Sequence, residues 1–294
     1  MKPIKYMSLI LITTFLMGIA YPLGKIGMSY APPFLLMGIR YVLAGGLLAL
    51  LVIGRPLPRG GKQWGQVALI GLFQSAGVMG CVYYSMHWIT SSESVIISSS
   101  SPLIVILLGT LFSGVVYRFR QWMGVVIGCI GVAIAFGLHL RIEPGTWFSL
   151  AGAVFFAVAA FLVGKWGGGF DKLVLAAYQM LIGGVVLLIL SSLTEPVSFM
   201  VNSTSITVML LLALLCSIVQ FSIWFYLLTN TDPAKTSSFL FLVPIFGVLC
   251  SWLLLGEHIA WYVYAGGVLV CVGIYLVNKQ VQPAAFRKAS GRPA

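Results

Sequence analysis

Apolar residues in this chain neither alternate with polar ones nor form narrow stripes. They come in runs of about twenty, separated by short polar breaks. The runs fall at residues 5–24, 34–53, 64–86, 94–113, 121–138, 146–164, 172–192, 205–227, 236–255 and 260–278. A helix needs roughly 20 apolar residues to cross a bilayer, so the pattern predicts ten transmembrane helices. Continuous runs, rather than alternating ones, argue against a porin-like barrel. The breaks carry turn formers: YAPPF at 30–34, GRPLPRGG at 54–61, RIEPG at 141–145 and TEP at 194–196. The first run lacks a clear small-residue cleavage site and is expected to stay as the first helix. Residues 279–294 are polar and are expected to form a disordered cytoplasmic tail.

Composition agrees with a lipid solvent. Of 294 residues, 60% are hydrophobic and 8% charged, against about 25% charged in ordinary soluble domains. Placing the N-terminus in the cytoplasm puts Lys2, Lys5, Arg55, Arg59, Lys62, Arg118, Arg120, Lys165, Lys172, Lys235, Lys279, Arg287, Lys288 and Arg292 on that side. The other side keeps Arg141 and, at a helix end, Lys25, while Arg40 lies within the second run. This positive-inside bias supports ten spans with both termini cytoplasmic. It also accounts for the net charge of +11 without a nucleic-acid partner. The cysteines all sit in apolar runs and form no C-x-x-C pair, so no metal site is expected.

The chain repeats itself. YYSMHWITSSESVIISSSSPLIVILLGTLFSG (83–114) aligns on FYLLTNTDPAKTSSFLFLVPIFGVLCSWLLLG (225–256) at a constant offset of 142. That offset pairs Pro102 with Pro244, Gly124 with Gly266 and Gly131 with Gly273. Gly45-Gly46 matches Gly183-Gly184 at a slightly different offset. Five helices per copy is an odd number, so the second copy enters the membrane from the opposite side. The expected fold is an all-α integral membrane protein of ten transmembrane helices in two inverted five-helix repeats, at 1–138 and 145–278. Inverted repeats recur in secondary transporters, which place the substrate site between the halves.

Polar residues inside apolar runs are the candidate chemistry. Pro102 and Pro244 each remove an internal N–H and crowd the preceding turn, so they are expected to kink their helices and act as gates. Ser98 and Ser99, ahead of Pro102, can satisfy the freed carbonyls or line a substrate path. Arg40 is the one charge well inside a run; it either snorkels outward, faces a cavity or an anionic group, or joins a structural ion pair. Gln74, Gln179 and Gln220 are neutral hydrogen-bonders, suited to a cavity or to interhelical contacts. Tyr21, Tyr83 and Trp224 offer rings for a flat or apolar group. His87, near the end of the third run, titrates near neutrality. No run holds a central carboxylate, so coupling to a proton gradient or to membrane potential stays open. No phosphate-binding loop or H-E-x-x-H pattern occurs, so neither an ATP motor nor a zinc enzyme is indicated, and no cofactor is expected.

Mid-helix prolines followed by SPLIVILLGTLFSGVVYRFRQWMGVVIGCIGVAIA (101–135) and VPIFGVLCSWLLLGEHIAWYVYAGGVLVCVGIYL (243–276) resemble the EamA-type branch of the drug/metabolite transporters. The family's glutamate stands here as Glu257, whereas the first-half position holds Val115. The resemblance implies a carrier in a bacterial-type cytoplasmic (inner) membrane, often exporting amino acids or related metabolites. It implies a central cavity among helices one to four and six to nine, with helices five and ten peripheral. Its partners would be a small solute and lipid, with a homodimer allowed by the small-residue faces. A multidrug carrier, or a receptor or scaffold that moves nothing, is the alternative.

Overall fold

The computed structural model describes residues 3–101, 103–104, 119–135, 143–230 and 239–278. Among them every regular element is helical. In chain order these are α1 (Pro3–Gly27), α2 (Pro33–Leu51), α3 (Gly60–Gly71, a π turn Leu72–Gly77, then Val78–Ser85) and α4 (Ser91–Ser98). Then come α5 (Phe119–Ala135), α6 (Pro144–Trp166), α7 (Lys172–Thr194) and α8 (Ser203–Leu210, a π turn Leu211–Val219, then Gln220–Asn230). A short 3₁₀ turn, Phe239–Phe241, precedes α9 (Leu242–Leu255), and α10 is Trp261–Asn278. Six helices are long and apolar enough to cross a membrane, and Phe119–Ile134, Leu242–Leu255 and Trp261–Leu276 are shorter apolar helices. Large apolar side chains such as Leu50, Ile53, Leu193 and Trp252 are exposed on the bundle surface. Only a hydrocarbon solvent tolerates such a surface, and there the helix keeps its own backbone bonds closed. The chain is therefore a multi-pass membrane protein.

Two apolar cores hold the bundle. One joins α1, α2, α3, α7 and α8 through Leu36, Met37, Tyr41, Met180, Leu187 and Leu212. The other joins α4, α5 and α10 through Val95, Ile96, Val132, Val270 and Ile274. Tyr21 of α1 packs against both, so α1 forms their seam.

Glycines let backbones approach where helices cross. A Cβ on Gly131 would lie 2.7 Å from Gly266 O and Val270 N, and one on Gly273 would lie 2.7 Å from Gly124 O. These two contacts are one contact with its partners exchanged, since Gly131 and Gly273, and Gly124 and Gly266, differ by the offset of 142. A two-fold relation produces that exchange. The α2–α7 crossing is built the same way: a Cβ on Gly45 would meet Leu181 N at 2.7 Å, and one on Gly184 would meet Val42 N at 2.8 Å. The π turns also correspond, because residues 72–77 shifted by 142 fall within Leu211–Val219. Nothing in either sequence announces a π turn; it comes from packing.

Helix four departs from expectation at both ends. It starts at Ser91, three residues before the apolar run, because Thr90 and Glu93 form a reciprocal capping box. Its regular part ends at Ser98, with Ser99 as C-cap. The break falls just ahead of Pro102, which lies outside the described residues, as does the rest of the predicted 94–113 span. Proline disfavours helical backbone in the residue before it and blocks the carbonyl four positions back, which accounts for the place of the break. The serines there bond the loosened turn: Ser98 Oγ donates to Ser94 O at 2.7 Å and Ser100 Oγ to Ile97 O at 2.6 Å.

Candidate functional site at the helix seam

Five helices meet around the Arg40 guanidinium. Arg40 does not snorkel outward; it is 2% exposed. Its Nε donates to Ser217 Oγ at 2.9 Å and its Nη2 to Cys216 O at 2.8 Å, both in the π turn of α8. That turn supplies acceptors an α-helix would have used internally. Nη1 makes two longer contacts, to Tyr83 Oη at 3.3 Å and Met37 Sδ at 3.7 Å. Tyr83 in turn donates to Ala20 O at 2.7 Å. Ser217 donates its own proton to Leu212 O at 2.9 Å, five residues back. Tyr21 Oη sits 2.7 Å from Ser98 Oγ. The Ser98 proton is directed at Ser94 O, so Tyr21 is the donor. The network ties α1 to α2, α3 and α4, and α2 to α8.

No carboxylate joins it. Among the described residues, Glu93, Glu143, Asp171, Glu195 and Glu257 all lie at helix ends or turns; the sixth acid, Asp232, lies outside them. The described ion pair is Arg55–Asp171 at 3.0 Å, far from Arg40 in the fold. An ionic partner for Arg40 is thus replaced by neutral oxygens, a sulfur and the Tyr41 ring, 5.1 Å from the guanidinium carbon.

The other sequence candidates scatter. Gln179 is buried, and its Oε1 accepts from Ser75 Oγ at 2.8 Å, joining α7 to the π turn of α3. Gln220 is buried, and its backbone carbonyl accepts from Thr13 of α1 at 3.2 Å. Gln74, Ser99 and Trp224 are half-buried. Pro244 lies inside α9 and lines an apolar groove of about 620 Å³ between α9 and α10, apart from the polar network. His87 is exposed beyond the end of α3, in edge contact with Tyr84 and Trp88. Burial of its ring and the nearby Lys25 ammonium hold its pKa below the ordinary value, so it is neutral at pH 7. Lys25 donates to Met86 O at the same end.

Sequence reasoning missed Ser217 and two glutamates. Ser217 had a signal, for it is Ser75 displaced by 142. Glu195, at the end of α7, accepts from Phe34 N at 3.0 Å and Leu35 N at 3.2 Å. Pro32 and Pro33 leave α2 without a capping side chain of its own, and a carboxylate from the other half takes the free donors. Glu257 does the same for α4, as detailed in the Discussion. Neither partnership is local, so neither is readable from one helix.

At the opposite end Asp171 caps α7, accepting from Leu173 N at 3.0 Å and Val174 N at 3.2 Å while paired with Arg55. Burial alone would raise its pKa, but the Val174 N–H, the Arg55 guanidinium and the Leu173 N–H outweigh it and hold the carboxyl below its ordinary value. A lowered folded-state pKa stabilises the fold above the unfolded-state value, about 3.9, and the gain is lost as pH falls through the folded-state value. Asp171→Ala should cost about 1 kcal/mol at pH 7, and Arg55→Ala much less, since exposed pairs contribute little. Unfolding of detergent-purified variants across pH checks this: the Asp171→Ala deficit should persist from pH 5 to 8 and shrink below about pH 4.

Comparison with known proteins bears on the whole chain. The EamA-like transporter family pattern matches residues 4–137 and 144–279. The uncharacterized transporter YvbV of Bacillus subtilis (strain 168) is 28% identical over 271 residues, covering 89% of this chain and 87% of its own. The uncharacterized inner membrane transporter YedA of Escherichia coli (strain K12) is 30% identical over 283 residues, covering 91% and 89%. Protein PecM of Dickeya dadantii (strain 3937) is 27% identical over 250 residues, covering 84% and 83%. A protein crystal structure superposes with a TM-score of 0.68 at 19% identity, covering 96% of this chain and 98% of that one; at that identity it speaks for the fold.

Proposed function

We infer that this chain, which belongs to the EamA-like transporter family, is a secondary transporter rather than an enzyme and works by alternating access between two inverted five-helix halves. The observation that carries the reading is the exchanged glycine contact between α5 and α10, Gly131 on Gly266 and Gly273 on Gly124. A pseudo-two-fold of that kind lets each half adopt the other's conformation, which is how inverted repeats open alternately to the two sides. The full arrangement is ten spans, including a fourth that continues beyond its described part. It stands in the cytoplasmic (inner) membrane with both termini inside, in keeping with the lysine and arginine bias.

The solute path runs along the α1 seam, where Tyr21, Tyr83, Arg40 and Ser98 meet, with Gln74, Ser99, Gln179, Gln220, Trp224 and His87 as further candidates. Pro102 and Pro244 serve as the flexible points of the fourth and ninth helices. A seam of hydroxyls, amides and rings fits a small amphipathic solute, and amino acids or related metabolites lead, moved outward. Flux into and out of proteoliposomes, with amino acids, neutral metabolites and organic cations, with and without a pH gradient or membrane potential, tests the reading. Amino-acid flux is the expected result. Flux of organic cations alone supports multidrug efflux, and absence of flux under every gradient removes transport in favour of a receptor or scaffold.

A further inference from the structure

The two halves build the same cross-contact with different charges. In one, Gln179 of α7 takes the proton of Ser75 in the π turn of α3. In the other, Arg40 of α2 donates to Ser217 in the π turn of α8. The serines are equivalent at the offset of 142, and Gly45-Gly46 laid on Gly183-Gly184 brings Arg40 to position 178, next to Gln179. A neutral side chain therefore suffices to join the second helix of one half to the third helix of the other. The charge of Arg40 exceeds that structural need. A buried cation without a counter-ion is costly, and membrane proteins keep such groups where they meet a substrate or ion.

The guanidinium is also held unevenly. Nε and Nη2 make short bonds to α8, at 2.9 and 2.8 Å. Nη1, on the side of Tyr83 and α1, has contacts of 3.3 and 3.7 Å, at the long limit for such bonds. Guanidinium carries five N–H donors in a planar fork that matches a carboxylate. The Nη1 end can exchange its long contacts for two charge-assisted bonds without releasing α8. Tyr83 and Tyr21 flank that end: Tyr83 bonds Nη1 directly, and Tyr21 borders both cores on the same helix as Ala20.

Resting on the transporter reading above, we infer that the Nη1 end of Arg40 is the receptor for the carboxylate of the solute, so that the substrates are small carboxylates, zwitterionic amino acids among them, and not organic amines. Three probes that share a ring separate the charges: L-phenylalanine, 3-phenylpropionate, which lacks the amine, and phenethylamine, which lacks the carboxylate. Thermal stabilisation of the detergent-purified protein reads binding independently of flux. Both carboxylates should stabilise the wild type, and phenethylamine should not. Arg40→Gln, which copies the neutral solution of the other half, should keep the fold and weaken carboxylate binding by about tenfold or more. Arg40→Lys keeps a charge without the fork and should fall between. Absence of stabilisation by either carboxylate in the wild type, or equal stabilisation of wild type and folded Arg40→Gln, overturns the inference. The wild-type comparison stands even if Arg40→Gln fails to fold. Carboxylate binding with no flux under any gradient retains the anion site and removes the transport reading. Flux of phenethylamine alone does the reverse.

Discussion

Glu257→Ala should destabilise the protein by about 3 kcal/mol. Gly256 ends α9 with φ +63° and donates its N–H to Trp252 O at 3.1 Å, the usual αL stop that glycine makes without strain. That turn aims Glu257 at the start of α4. Its Oε1 accepts from Ser91 N at 2.9 Å and its Oε2 from Ser92 N at 3.1 Å. Ser92 Oγ donates to Oε2 at 2.6 Å, and the Ser91 hydroxyl lies between Oε1 at 2.9 Å and Ser251 Oγ at 2.7 Å. Thr90 already takes the Glu93 N–H, so Glu257 completes the first turn of α4. Removing it strands two N–H groups near the membrane, with a positive helix end facing nothing. Glu257→Gln keeps one acceptor oxygen and should lose about half as much. Denaturant titration in mixed micelles measures both variants; an Ala variant as stable as wild type would sink the cap.

Gly131→Val should cost about 3 kcal/mol by overpacking. The atoms its side chain would meet are Gly266 O, Val270 N and Leu269 Cβ, at 2.7 to 2.8 Å. None of them can swing aside, so α5 and α10 must separate. Gly273→Val strikes the exchanged copy of the contact, at Gly124 O and Gly128. Once the helices have parted for one valine the second meets less resistance, so the double variant should cost less than the sum of the two singles. Gly65→Ala is the control: open space surrounds it, and an alanine inside α3 should be neutral or favourable by up to about 1 kcal/mol. Equal tolerance at positions 65 and 131 would falsify the close crossing.

The run pattern located the helices because hydrocarbon permits little else: each backbone must satisfy itself within its own segment. Apolar length alone thus reads out α1, α2, α3, α6, α7 and α8. The resemblance to EamA-type transporters was legible because glycines, prolines and one glutamate stand at fixed spacing, and those residues mark backbone geometry that substitution disturbs. The site was less legible. Nothing local says that Arg40 turns inward to Ser217 and Cys216 rather than outward to water, because that choice depends on a π turn 176 residues away. The proline at 102 gave warning of a broken fourth helix, and the regular segment does stop at Ser98.

The sequence by itself determined solvent, helix positions and the kinship of the halves, since each rests on composition and spacing within short stretches. Only the tertiary structure decided that Glu195 and Glu257 close helices in the opposite half. It also decided that Gly131 and Gly273 exchange partners, and that one buried cation is held by neutral oxygens. Those outcomes depend on distances between segments far apart in the chain, and in lipid such distances are set by side-chain packing rather than by hydropathy.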